Sequence, residues 1–162
     1  MRVIIAGAGS VGRYMAGQLQ SAGHEVTLLD QDQRVVKRGM SSGDPAGVTW
    51  READACEVSS LADAGAQHAD VIAAVTGDDE DNLVISLLAK QEFGVPRVVA
   101  RVNNPKNEWM FNEMWGEIFS GFSALQANVF TRSGHAGNRA CAIRVVKGES
   151  PVIPCVAVKT NH

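Results

Sequence analysis

The sequence is short of cysteine, of tyrosine and of long apolar runs. Its three cysteines, Cys56, Cys141 and Cys155, are odd in number and widely separated, and no C-x-x-C occurs. That excludes a disulfide framework and a zinc ribbon, and leaves the cysteines as expected small buried hydrophobes. The uninterrupted apolar runs, such as Val3–Ala8, Val71–Val75 and Val98–Ala100, fall well short of the roughly 18–20 residues of a spanning helix. The apolar start is too brief for a signal peptide, so a cytoplasmic chain is expected. Positive charge is not in excess: 15 Lys+Arg stand against 18 Asp+Glu, a formal charge of −3. Nucleic-acid and anionic-lipid binders are usually basic, so neither partner is expected. The four histidines form no H-E-x-x-H, and the single tyrosine, Tyr14, sits in a predicted helix. No catalytic set and no metal site is expected.

What is present is a globular pattern, 45% apolar and 20% charged over 162 residues, with 16 glycines. Strands are predicted at Arg2–Ala6, Glu25–Asp30, Val48–Glu52, Val71–Val75 and Arg97–Val102. Helices are predicted between them at Val11–Ala22, Asp32–Arg38, Asp79–Phe93 and Pro105–Trp115. Ser60–Asp63 carries a capping-box pattern, and Gly39–Gly47 reads as a connection with a turn at Asp44-Pro45. In Asp79–Phe93, Val84, Leu87 and Leu88 are expected to face the core. Strands alternating with helices imply βαβ units, an α/β fold with a doubly wound parallel sheet and helices on both faces. Past Gly116 the periodicity fades, with Ala140–Val146 and Val152–Val158 as candidate strands of a hairpin.

Gly7-Ala8-Gly9-Ser10-Val11-Gly12 is a G-x-G-x-x-G between a predicted strand and a predicted helix. In that context Gly7 permits the tight turn, Gly9 lets backbone approach a pyrophosphate, and Gly12 lets helix pack on strand. Helix N–H groups then hold the anion. Asp30 ends the next strand about 18 residues after Gly12, where a carboxylate accepts ribose hydroxyls and repels a 2′-phosphate. A Rossmann-like nucleotide site is expected, for NAD(H) or an adenine nucleotide with a free ribose.

Further candidates sit at the ends of later strands. Asp54-Ala55-Cys56 is placed to border the base, or is an ordinary polar turn. Val75-Thr76-Gly77 is placed for main-chain approach to the nucleotide. Asp78-Asp79-Glu80-Asp81 lacks EF-hand spacing and reads as acids favoured by a helix dipole. Arg101 reaches a phosphate or a polar interface, or simply ends its strand in solvent. Trp109 to Trp115 carries more apolar surface than one buried stripe needs, which points to core, or to core plus a protein interface.

The glycine loop, Asp30, Asp54-Ala55-Cys56, the stretch Ala69 to Asn82 with its T-x-D-D-x-x-N, and Val98 to Pro105 occur together. In these residues Met1 to Gly116 resembles the RCK or KTN nucleotide-binding (TrkA-N) domains of Trk-type potassium uptake regulators. The resemblance implies a regulatory subunit, not an enzyme, that binds NAD(H) or ATP/ADP in the sheet's switch-point crevice. It implies homodimers assembling into a ring, or a hetero-assembly with a second regulator, beneath a separate membrane-embedded potassium transporter or channel subunit. The chain would then sit at the inner face of the plasma membrane through that partner. Carried over by position, Gly7, Ala8, Gly9, Ser10 and Val11 would hold the phosphates and Asp30 the ribose. Asp54 and Ala55 would border the base, and Thr76 and Arg101 would line the site. The sequence departs from the family in having no arginine inside the glycine loop, which weakens a reading of γ-phosphate sensing. Residues 117–162 match neither the family's sixth strand nor its C-terminal subdomain. They are expected as a divergent tail, either a sixth strand plus hairpin or poorly ordered, or as a frame-changed extension. The alternative function, a small NAD-dependent oxidoreductase or epimerase, needs an acid/base residue that the sequence does not supply.

Overall fold

The computed structural model describes residues 1–111 and the strand residues 118–119 and 142–147. In chain order the elements are β1 (Arg2–Ala6), α1 (Ser10–Ser21), β2 (Glu25–Asp30), α2 (Gln33–Ser42), β3 (Thr49–Glu52) and α3 (Val58–Asp63). They continue with β4 (Val71–Ala74), α4 (Asp79–Gln91), β5 (Arg97–Val102), β6 (Ile118–Phe119) and β7 (Ala142–Lys147), with 3-10 turns at Ala66–His68 and Pro105–Phe111. The sheet order is β3-β2-β1-β4-β5-β7-β6. The first five strands pair in parallel, β7 runs antiparallel to β5, and β6 antiparallel to β7. The α/β doubly wound sheet read from the sequence is therefore present. β7 corresponds to the candidate strand Ala140–Val146, while Val152–Val158 lies outside the described residues.

Helices cover both faces. Met15, Ala16 and Leu19 of α1 and Val36 of α2 pack on Val3, Ile5, Val26, Leu28, Val75 and Val99. Leu61 of α3 and Ile85 and Ala89 of α4 pack on Ile4, Ala6, Leu29, Ile72, Ala74 and Val98. The central strands are buried on both sides, so they read as unbroken apolar runs rather than alternating ones. Each fully buried Ile, Leu or Val contributes about 1.5–3 kcal/mol. No helix among the described residues is long and apolar enough to cross a membrane.

Four elements differ from the sequence expectation, each for a local reason. α2 runs on to Ser42 through Gly39, and Gly43 in the left-handed region closes it. Gly39 is a packing residue, not a breaker: a Cβ there would land on the Trp50 ring. α3 opens at Val58 rather than Ser60, because the Asp54 side chain and carbonyl accept the Cys56 and Glu57 N–H groups and start the helix early. α4 buries Asn82, Ile85, Ser86 and Ala89, while Val84 faces solvent and Leu87 and Leu88 are half-buried. The buried face carries polar Asn82 and Ser86 beside Ile85 and Ala89, so apolar periodicity alone selects the wrong stripe. Pro105–Phe111 is a 3-10 turn whose Asn107 N–H bonds the Asn104 carbonyl, and Asn112 to Trp115 lie outside the described residues.

The end of β5 is locked to α4 by buried polar groups. Asp79 is 4% exposed. Its Oδ1 accepts the Asn103 N–H at 2.6 Å and Asn103 Nδ2 at 2.9 Å, and its Oδ2 accepts the Asn104 N–H and Asn107 Nδ2, both at 2.9 Å. Burial opposes its charge, but the hydrogen bonds from Asn103, Asn104 and Asn107 outweigh it and hold the carboxyl below its usual value. Asn82, fully buried, accepts the Thr76 N–H and hydroxyl at 2.8 Å and donates to the Arg101 carbonyl at 2.9 Å and the Thr76 carbonyl at 3.3 Å.

Two stability measurements check these contacts. Gly39→Ala, a change that stabilises most helix interiors, should here cost about 1–3 kcal/mol by urea denaturation, because the methyl meets the Trp50 ring. Asp79→Asn places an amide donor against the Asn104 and Asn107 donors and should cost about 1–3 kcal/mol near neutral pH. A depressed carboxyl stabilises above its unfolded value near about pH 4 and loses that contribution as pH falls through the folded value. The gap between wild type and Asp79→Asn should therefore close in strong acid.

Candidate functional site

Five parallel strands bring five carboxyl ends to one edge. β1 and β4 are neighbours there, yet α1 leaves β1 on one face and α4 leaves β4 on the other. That divergence opens the crevice in which open α/β sheets bind ligands. The glycine loop sits in it. Gly7 has φ +104°, and a Cβ on it would press on the Thr76 nitrogen at 2.9 Å and the Val75 carbonyl carbon at 3.0 Å. A Cβ on Gly12 would fall on the Gly7 carbonyl oxygen, so α1 lies this close to β1 only with glycine in place. Gly9 is different: nothing lies within 4 Å of its Cβ position, and its backbone is extended. Among the described residues no atom crowds its open side, which suits a ligand's approach to the main chain. No side chain caps α1, and its first turn carries no acid. Its leading N–H groups are therefore left for an anion. Ala8 is buried, Ser10 exposed and Val11 half-buried.

Asp30 closes the loop from the β2 side. Its Oδ2 accepts the Ala8 N–H at 2.8 Å and its Oδ1 the Asp32 N–H at 2.9 Å. One carboxylate thus fixes both the glycine loop and the start of α2, and each oxygen keeps a lone pair for a hydroxyl. Asp32 caps α2 through the Arg34 N–H at 2.8 Å and takes the Arg34 guanidinium on both oxygens, at 3.1 and 2.9 Å. That guanidinium lowers the Asp32 carboxyl below its usual value. Glu52, opposite Asp30 in the β2–β3 register, accepts Gln33 Nε2 at 2.8 Å.

At the end of β3, the exposed Asp54 carboxylate is turned onto the Cys56 N–H at 2.8 Å. The Ala55 methyl belongs to the core under α3 and α4. Burial, with Asp81 and Asp54 beside it, pushes the Cys56 thiol up to about 12, so it stays protonated near neutral pH. It is half-buried rather than fully so; Cys141 and Cys155 lie outside the described residues. Val75 is buried beneath the turn, and Thr76 is half-buried with its hydroxyl and N–H held by Asn82. Strand alternation puts Arg101 on the sheet face of Val99, the face that α1 covers. Its Nε is buried and has no hydrogen-bond partner among the described residues. An open Cβ position at Gly9, an uncapped helix start and an unpartnered guanidinium nitrogen fit an anionic ligand along this edge.

The structure thus gathers the glycine loop and Asp30 into one hydrogen-bonded unit. It ties Thr76 to the Arg101 backbone through Asn82, and leaves Asp54 and Ala55 in the turn after the outer strand β3. Sequence reasoning missed Asp79, Asn82 and Asn103 as the parts that hold the far wall. The signal was there: the T-x-D-D-x-x-N pattern ends at Asn82, an amide closing the acidic run just before the apolar stretch that begins at Leu83. The acids at Asp78 to Asp81 do more than meet a helix dipole, since Asp78 caps α4 through the Asp81 N–H and Asp79 clamps the β5 exit. Trp109 is 70% exposed beside the buried Phe111.

A TrkA-N domain model matches residues 3–118. The Trk system potassium uptake protein TrkA of Mycobacterium tuberculosis is 49% identical over 119 residues, 72% of this chain and 51% of that protein. The homolog from Methanothermobacter thermautotrophicus is 34% identical over 114 residues, 70% of this chain and 51% of that protein. The chain spans about half the length of these curated relatives. Among solved structures, the NAD(P)-binding domain of an exopolyphosphatase-related protein from Archaeoglobus fulgidus has TM-score 0.57 at 23% identity, covering 67% of this chain and 77% of that one. The GsuK channel bound to NAD has TM-score 0.57 at 18% identity, covering 67% of this chain and 19% of that one. These two likenesses carry the Rossmann-like fold. Family match, curated relatives and glycine-loop geometry agree: the chain belongs to the TrkA-N domain family.

Proposed function

We propose that this chain is the nucleotide-sensing part of a regulator of potassium uptake. Gly7 to Gly12 and Asp30 form its phosphate and ribose site. The single observation that carries the reading is the open backbone at Gly9 beside an uncapped α1, with Asp30 one hydrogen bond away through Ala8. The relatives bearing the TrkA name supply the process, potassium uptake. The ligand is NAD(H) or ATP/ADP. The absence of a basic residue inside Gly7 to Gly12 favours the dinucleotide over a triphosphate. Thr76 and Arg101 line the second half of the crevice, and Asp54 and Ala55 border the base.

The chain acts by binding, not by catalysis, and the protonated Cys56 offers no thiolate nucleophile. Its partner is a membrane-embedded potassium transporter or channel subunit, with this unit held in a homo-oligomeric ring or beside a second regulator on the cytoplasmic side. Residues 1–116 form the sensing unit, and residues 117–162 a divergent tail whose β6 and β7 extend its sheet. A ligand shifts gating only by binding two states differently, so the crevice must change shape between them.

Thermal-shift titration with NADH, ADP and ATP tests the site. A ligand at a hundred times its Kd stabilises by about 2.7 kcal/mol, which is visible as a raised Tm. Gly9→Val should cost only about 1 kcal/mol of stability as a poorer helix cap, yet weaken nucleotide binding by about tenfold or more by filling the open approach. Asp30→Ala should weaken it as well. Wild-type protein that responds to none of the three nucleotides would overturn the reading.

A further inference from the structure

The corner around Asp30 carries three carboxylates and two cations, and the cations have partners. Asp30 ends β2, Asp32 caps α2 and Glu52 ends β3 in register with Asp30. Arg34 lies on Asp32 in a two-point contact, with Nε 3.1 Å from Oδ1 and a terminal guanidinium nitrogen 2.9 Å from Oδ2. Lys37, one turn on, donates to Gln33 Oε1 at 2.7 Å, and Gln33 in turn donates to Glu52. In this fold the carboxylate at the end of β2 meets the ribose 2′-hydroxyl, and a nearby arginine is what accommodates a 2′-phosphate. Here such an arginine is present four residues past Asp30, but a neighbouring carboxylate occupies it.

We propose that the Asp32–Arg34 pair sets the nucleotide class of this site, by withholding Arg34 from a 2′-phosphate and so confining the site to ligands with a free ribose 2′-hydroxyl. Asp32 is then a specificity-determining residue that never touches the ligand. It acts by occupying the guanidinium fork. A carboxylate holds a guanidinium in two parallel bonds, so the fork is satisfied before any ligand arrives. Because Arg34 is largely exposed, the effect is sensitive to ionic strength. The inference rests on nucleotide binding at Gly7 to Gly12 and Asp30.

Asp32→Asn separates the roles of this residue. Asparagine caps a helix as well as aspartate, so α2 and the fold are retained. It carries no charge to hold Arg34. NADH and NADPH are titrated against wild type, Asp32→Asn, Arg34→Ala and the double variant, at low and at high salt. Wild type should prefer NADH. Asp32→Asn should leave NADH affinity within about twofold and tighten NADPH by about three- to fivefold at low salt, less at high salt. The gain should vanish in the Asp32→Asn/Arg34→Ala double variant, and Arg34→Ala alone should keep the wild-type preference. An unchanged NADH/NADPH ratio in Asp32→Asn would overturn the inference while leaving nucleotide binding intact. A gain that survives in the double variant overturns it too, because charge repulsion alone would then explain it. Wild-type protein that binds neither NADH nor ADP overturns the site itself, and the inference with it.

Discussion

One buried amide organises the carboxyl edge. Asn82 is shut away from water, and both ends of its side chain are engaged: Oδ1 by the Thr76 N–H and hydroxyl, Nδ2 by the carbonyls of Arg101 and Thr76. An amide buried with those bonds unmade would cost several times what each made bond contributes net. The turn after β4 and the end of β5 are therefore held in one arrangement relative to α4. Asp79, three residues earlier on the same helix, extends the hold to Asn103, Asn104 and Asn107. The far wall of the crevice is thus a network of side chains.

The near wall is built the other way, from missing side chains. Gly7 and Gly12 let β1, its turn and α1 approach at distances that any Cβ would prevent. Asp30 then pins the loop through the Ala8 N–H. A rigid polar wall faces a bare backbone wall, and both start from neighbouring strands. Such a crevice offers N–H groups on one side and fixed side chains on the other, the combination that orients a phosphate-bearing ligand.

Much of this was legible in the sequence because the physical signals were local. Unbroken apolar runs mark strands buried on both faces, and the glycine spacing marks a strand–turn–helix. Asp30 is found by its place at a strand end. What stayed hidden depended on tertiary partners. Gly39 reads as a breaker until the Trp50 ring is seen against it. The capping-box pattern at Ser60 points to the wrong start because Asp54 begins the helix first. α4 shows no decisive stripe, since its buried face pairs a small Ala89 and polar Asn82 and Ser86 with Ile85. Asp79 looks like one more acid in an acidic run, and only the fold brings Asn103 to it.

The two helices that start at this edge are prepared for different work. Each begins with free N–H groups and a partial positive charge of about half a unit. In α4 that charge is already met: Asp78 caps the helix, and Asp79, Glu80 and Asp81 fill its first turn. In α1 it is not: no side chain caps it and no acid stands in its first turn. An anion arriving at the crevice is repelled from one helix start and drawn to the other. The carboxylates at Asp30 and Asp32 limit it again on the outer side. The phosphate position proposed above lies between those two acidic borders, over Gly9, where the described residues leave the backbone uncovered.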